Sequence, residues 1–292
     1  NMRHIRAMTK GARVMAVIKA DAYGHGSIPV ARALRDLRAD GGDVGRGQRQ
    51  DWEADAFAVA CLEEAMALRG ARIYAPLVVL EGVLSLEEAR LCLREQIEIV
   101  IHDHWQLAVL EQLPRGAECR LWVKIDTGMN RLGFSPSEAG QVQQRLALRP
   151  EWQLRGWMTH LARADDDSTA SADQARSFDQ ATAGLPGERS IANSAGVAAW
   201  PALHRDWVRP GLMLYGASPL SGRTGADLGL RPAMKLESRI LSLRDCKAGD
   251  GVGYGGSYRC PRDMRIAVVT VGYADGLHRC LPPGTPFTLH GT

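Results

Sequence analysis

No stretch of this 292-residue chain approaches the roughly 20 consecutive apolar residues that a membrane-spanning helix needs, so no membrane partner is expected. Charge of one sign is missing as well. Against 36 Lys and Arg stand 33 Asp and Glu, a net +3, and the basic residues are scattered, which leaves no footprint for nucleic acid. Arg3, Arg6, Lys10 and Arg13 come nearest to a basic patch and read as one side of a solvated helix. Paired cysteines are also lacking. Cys61, Cys92, Cys119, Cys246, Cys260 and Cys280 stand singly, without the spacing of a zinc set or a redox dithiol, and read as reduced thiols of a cytoplasmic protein. No charged-then-apolar leader follows Asn1, and the first residues read as a helix already under way, so the native start is expected further upstream.

What is present is a rhythm. Short apolar runs at 14–18, 56–60, 73–80, 97–101, 121–125, 154–158, 189–192 and 207–208 alternate with helical stretches, the signature of βα units around a parallel sheet. Each run is followed by a chemically able group: Lys19, Glu63, Glu81, His102, Lys124 with Asp126, His160, Asn193 with Ser194, and Arg209. Eight such units predict an α/β (TIM) barrel with its active site at the carboxyl ends of the strands. Ser85-Leu86-Glu87-Glu88 and Ser135-Pro136-Ser137-Glu138 read as capping boxes that start helices. The Gly-rich, charged segment 38–53 reads as a loop insertion on the barrel face away from the site. After about Gly225 strands predominate, at 236–243, 252–258, 265–271 and 286–289, so a barrel over 1–225 is expected to precede a smaller, mostly β domain over 226–292.

The most informative stretch is Ala16-Val17-Ile18-Lys19-Ala20-Asp21-Ala22-Tyr23-Gly24-His25-Gly26. A lysine at the mouth of a buried strand is either an amine poised as nucleophile or base, or a salt-bridged side chain snorkelling to the rim. The two glycines let backbone approach a ligand closely at a helix start, which suits a phosphate. His102-Asp103-His104 is open in the same way, as metal ligands or as polar residues capping the helix that follows.

This stretch resembles the cofactor-lysine motif of the alanine racemases, which use pyridoxal 5′-phosphate (PLP), and further motifs match in order. The resemblance makes Lys19 the lysine that holds PLP as a Schiff base and Tyr23 the tyrosine that reaches the phosphate. Lys124-Ile125-Asp126-Thr127-Gly128-Met129-Asn130-Arg131-Leu132-Gly133 is similar to the family's fifth-strand motif. It implies that Arg131 bonds the cofactor phenolate and the substrate carboxylate, and that Lys124 is the lysine which in the family is often carbamylated to orient that arginine. Met158-Thr159-His160 implies a histidine beside the pyridine ring, and Asn193-Ser194 a serine on the phosphate. Arg209-Pro210-Gly211-Leu212 implies an arginine facing the pyridine nitrogen, with the backbone amides of Gly211 and Leu212 on phosphate. Because arginine does not deprotonate, that nitrogen would stay unprotonated and the electron sink weak, disfavouring transamination.

Moving a proton from one face of Cα to the other takes two bases. Val252-Gly253-Tyr254-Gly255-Gly256-Ser257-Tyr258 resembles the segment that gives the family its tyrosine base from the partner subunit, so Tyr254 is the expected second base and a homodimer is implied. The His160–Arg209 pair is its expected helper at neutral pH. Val271-Gly272-Tyr273-Ala274-Asp275-Gly276 resembles the run whose tyrosine lines the substrate's way in, here Tyr273. The family's β domain continues beyond the position of Thr292 with further site residues, so the β domain is expected to be incomplete here. The implied activity is interconversion of L- and D-alanine, feeding peptidoglycan in a bacterium. The rivals are a non-catalytic PLP-binding protein, a broad-spectrum racemase and a PLP decarboxylase of the same fold type. Each residue also has a plainer role open to it, such as a β-bulge for Tyr254 or a salt bridge for Arg131.

Overall fold

The computed structural model describes residues 1–9, 11–35, 52–166, 168–282 and 284–289. Two compact units form, Asn1–Met234 and Lys235–Thr292. The expected boundary near 225 lies earlier because residues beyond it pack on the barrel unit. Leu230 is buried there, and Arg231 exchanges hydrogen bonds with the Asn1 side chain at 2.7 and 2.8 Å.

The first unit closes eight parallel strands into a barrel in chain order. They are β1 (Arg13–Val17), β2 (Ala56–Val59), β3 (Leu77–Val79), β4 (Glu98–Ile101), β5 (Cys119–Lys124), β6 (Trp152–Met158), β7 (Glu188–Asn193) and β8 (Trp207–Arg209). Period-2 alternation divides each strand between two cores. Val14, Phe57, Val79, Ile99 and Val123 face the helices, whereas Met15, Val17, Ala58, Val78, Val100, Trp122, Met158 and Trp207 fill the barrel interior. The run 73–80 yields only three strand residues, since Pro76 lacks the N–H a ladder needs; its carbonyl takes the Phe57 N–H instead.

The helices are α1 (Met2–Thr9), α2 (Lys19–Gly24), α3 (Ser27–Ala33), α4 (Leu62–Gly70), α5 (Leu86–Arg94), α6 (His104–Glu111), α7 (Ala139–Ala147), α8 (Ser168–Ala181) and α9 (Ser194–Ala199). Ser85 caps α5 through the Glu88 N–H at 3.2 Å, and Glu138 accepts the Ser135 N–H at 2.7 Å. The insertion read at 38–53 lies, up to residue 51, outside the described residues, as does Lys10. The remaining basic positions do not make one solvated face. Arg6 reaches the Glu53 carbonyl and the buried Asp55 carboxylate, and Arg13, in β1, stacks 4.6 Å over Trp207 and pairs with Glu188.

The second unit holds β9 (Ile240–Cys246), β10 (Gly251–Val252), β11 (Tyr258–Arg259) and β12 (Met264–Val269). β9 pairs antiparallel with β12, and β10 with β11. The expected strand 252–258 survives only at its ends because Gly253, Gly255 and Gly256 take positive φ. No strand forms at 286–289.

Candidate active site

The pleat sets up the site. Lys124 follows Trp122 by two residues on β5, and Arg209 follows Trp207 by two on β8, so both continue the inward face past the packed interior. Lys19 and His160 lie just past the ends of β1 and β6. All four line a cavity of about 530 Å³ together with Tyr23, Arg131, Ser194, Gly211 and Leu212. That volume lies within the usual range for small-ligand sites. All nine barrel residues singled out by sequence therefore meet in one place. Of the other strand-end groups, Glu81 and Asn193 join them, whereas Glu63, His102 and Asp126 are not in the lining. Tyr254 and Tyr273 belong to the second unit, each opening a 3-10 turn, and are 99% and 68% exposed.

The cavity is cationic. Burial, reinforced by Arg209, Arg131 and Lys19, pushes the Lys124 amine down to about 8. Burial lowers Arg209 to about 10. His160 is driven down to about 3 by burial and by Arg209, Lys124, Arg131 and Lys19, so its imidazole is neutral throughout the ordinary pH range. Arg209 is anchored by hydrogen bonds to Ser190 Oγ at 2.5 Å, to the Ile191 carbonyl at 3.4 Å and to the Thr159 carbonyl. Its effect on His160 is therefore that of a neighbouring positive charge.

Lys19 opens α2, but the backbone there is not a right-handed helix. Ala20, Asp21, Ala22 and Tyr23 have φ of 51°, 48°, 55° and 56°, a left-handed turn of four non-glycine residues. At about 1–2 kcal/mol each, such residues store several kcal/mol. The turn is held by Ala22 N–H on the Ile18 carbonyl (2.9 Å), Ser27 N–H on Asp21 Oδ1 (2.6 Å) and Ala20 N–H on Glu64 Oε1 (2.6 Å). It delivers Tyr23 over Gly211, where a Cβ would lie 2.5 Å from the phenol oxygen, so a side chain there would displace the phenol. Tyr215 stacks behind, 4.9 Å from Tyr23 and 4.5 Å from His25 between ring centroids. Ser194 Oγ accepts the N–H groups of Gly211 (2.9 Å) and Met213 (3.4 Å).

Arg131 rides on a loop that Asp126 ties to itself. The carboxylate accepts the N–H groups of Gly128 (2.9 Å), Asn130 (3.0 Å) and Arg131 (2.9 Å). Partial burial pushes this carboxyl up, yet those donors together hold it below its ordinary value. The loop closes where Asp126 N–H meets the Phe134 carbonyl and Phe134 N–H meets the Lys124 carbonyl, at 2.8 and 2.9 Å. Gly133, at φ 136°, permits the closure, since a Cβ there would lie 2.5 Å from Asp126 N.

Two residues escape sequence reasoning. Glu64, beside the exposed Glu63 on the first turn of α4, joins Ala20 N–H to Ala60 N–H (2.8 Å). Gln174 of α8, buried, donates to the His160 carbonyl (3.1 Å) and Thr127 Oγ1 (3.4 Å) and accepts from Ala162 N–H (2.9 Å). Neither lies in a motif; an acidic residue in a helix's first turn was the single available hint, and for Gln174 there was none. The triplet at 102–104 divides its tasks: Asp103 caps α6 through Trp105 N–H, His102 Nε2 meets the Glu81 carbonyl at 3.0 Å, and His104 pairs with Glu138 at 2.8 Å.

A closed barrel of eight parallel strands with chemically able side chains gathered at the carboxyl ends is the frame of a βα-barrel enzyme. Comparison with known proteins narrows the class. The family model for the alanine racemase N-terminal domain matches residues 1–46 and 38–219, and that for the alanine racemase C-terminal domain matches 233–292. The whole chain is 43% identical to an alanine racemase of Pectobacterium atrosepticum and 48% identical to one of Thioalkalivibrio sulfidiphilus, covering 77% of each. It superposes on the biosynthetic alanine racemase of Pseudomonas aeruginosa with a TM-score of 0.86 at 38% identity, over 98% of this chain and 76% of that one. The chain belongs to the alanine racemase family, isomerases that depend on PLP.

Proposed function

We propose that this protein interconverts L- and D-alanine with PLP in the barrel cavity, Lys19 serving one face of the substrate Cα and Tyr254, from the partner subunit of a homodimer, the other. The observation that carries the reading is the meeting of Lys19, Tyr23, Arg131, Ser194, Arg209 and Gly211 in one cavity.

The donor set suits the cofactor. Leu212 N–H, Ser194 Oγ and the Tyr23 phenol are the kinds of donor a phosphate dianion takes, with Gly211 N–H turned to Ser194 Oγ beside them, and the Arg131 and Arg209 guanidiniums offset the charge of a phosphate and a carboxylate. When bound, PLP supplies the electron sink that makes the Cα proton removable.

The rest falls to the chain's own residues. Arg131 binds the substrate carboxylate and fixes Cα between the two bases. Lys19 Nζ takes or returns the proton on one side, Tyr254 Oη on the other. Arg209, anchored on Ser190 and two carbonyls, faces the pyridine nitrogen as a permanent cation, and neutral His160 lies beside the ring without competing for protons. A Lys124 amine lowered to about 8 is neutral in part near pH 7, the form that takes up carbon dioxide; its carbamate would give Arg131 an anionic partner. The cytoplasm is the compartment that fits, with D-alanine going to peptidoglycan; no helix among the described residues is long and apolar enough to cross a membrane.

The test is incubation with L-alanine in D₂O, following optical rotation and Cα exchange. Racemisation with deuterium uptake is expected in wild type and neither in Lys19→Ala, which also loses the visible absorbance of the lysine-bound cofactor. A wild-type protein that neither racemises nor exchanges overturns the reading.

A further inference from the structure

We infer that Glu64 is a positioning residue for the cofactor lysine: its carboxylate holds the left-handed turn that aims Lys19 and Tyr23 into one cavity. This rests on the reading of Lys19 given above. Ala20 N–H is the first amide after Lys19, and its acceptor is Glu64 Oε1 at 2.6 Å. The other oxygen of the same carboxylate accepts Ala60 N–H, at the end of β2, at 2.8 Å. One side chain thus ties the exit of β1 to the exit of β2.

The geometry demands a carboxylate. Two N–H groups converge on Glu64 from separate segments, and a carboxylate offers an acceptor to each, whereas an amide offers one acceptor and presents a donor to the second N–H. The need is local. Residues 20–23 all have φ between 48° and 56°, a conformation that Ala and Tyr do not choose unaided and that Asp adopts only as an isolated residue. The hand of the turn decides on which side a side chain four residues on emerges. Reversal would carry Tyr23 away from Gly211, whose Cα it covers so closely that a Cβ would meet the phenol oxygen. Glu63, adjacent and exposed, lacks this role and provides a matched control.

The test compares wild type with Glu64→Gln and Glu63→Gln. In wild type the amide of Ala20, an exposed residue, is expected to exchange with deuterium at least tenfold more slowly than an unprotected amide. In Glu64→Gln that protection is lost, PLP affinity measured by titration falls about tenfold or more, borohydride-trapped PLP on Lys19 decreases, and kcat drops while KM for alanine holds. Glu63→Gln leaves all four readouts as in wild type. An unprotected Ala20 amide in wild type overturns the inference without any variant, and so does unchanged PLP affinity and trapping in Glu64→Gln. If instead wild type itself binds no PLP, the functional reading fails, while the exchange measurement still reports what Glu64 holds.

Discussion

Lys124 shows how a residue can be costly in the fold because of its place in the site. It is ordinary in composition but lies on the inward face of β5 among Arg209, Arg131 and Lys19, and its amine falls from 10.5 to about 8. A depressed folded value means the unfolded chain binds more protons between about pH 8 and 10.5, so stability rises with pH across that window and the handicap is complete below it. With its lysine kept free of carbamate by removal of carbon dioxide, the cofactor-free protein should therefore be stabilised by Lys124→Met at pH 7 by on the order of 1–3 kcal/mol. The advantage should vanish by about pH 10.5, read as the difference in urea midpoints between variant and wild type at the two pH values. An equal advantage at both would mean that packing, not charge, is responsible. Sequence gave the residue but not the number of its cationic neighbours.

The elements divide between those legible in advance and those that were not. All eight barrel strands were readable because a parallel strand covered on both faces is a short apolar run, and such runs do not depend on distant partners for recognition. The left-handed turn was unreadable: Ala-Asp-Ala-Tyr has no preference for positive φ, and the hand is imposed by Glu64, Asp21 and Ile18. Gln174 was invisible because its three partners come from two other loops. The 126–134 loop lies between these cases, since Asp126, Gly128 and Gly133 advertise a turn without revealing which amides the aspartate collects. That collection can be broken at one atom. Gly133→Ala would place a Cβ 2.5 Å from Asp126 N at a φ of 136°, so the loop must open. KM for alanine is expected to rise at least tenfold while PLP remains bound, measured by steady-state kinetics and by titration of the cofactor. A normal KM would detach Arg131 from substrate binding.

At the scale of the molecule, the two proposed bases belong to different units, Lys19 to the barrel and Tyr254 to the β unit. A phenol 99% exposed within its own chain is suited to a task in a neighbour. If two copies share their sites by two-fold symmetry, mixing Lys19→Ala with Tyr254→Phe regenerates one intact site in each hybrid dimer. Random reassortment of equal amounts should then restore about a quarter of wild-type activity from two preparations that are each reduced roughly 10²-fold or more. Failure to recover activity, with subunit exchange verified by mass, would place both bases in one chain or remove Tyr254 from the reaction.

The loop gathered by Asp126 is tied to itself through one carboxylate and to its surroundings through Thr159, Gln174 and the Lys124 carbonyl. The guanidinium it carries is thus presented from a tethered perch, and a preorganised perch discriminates by reach. If Arg131 takes the substrate carboxylate as proposed, an amino acid whose carboxylate is held one bond too far away would be missed rather than followed, and preference for a small substrate would lie in the tether of Arg131 as much as in the walls around it.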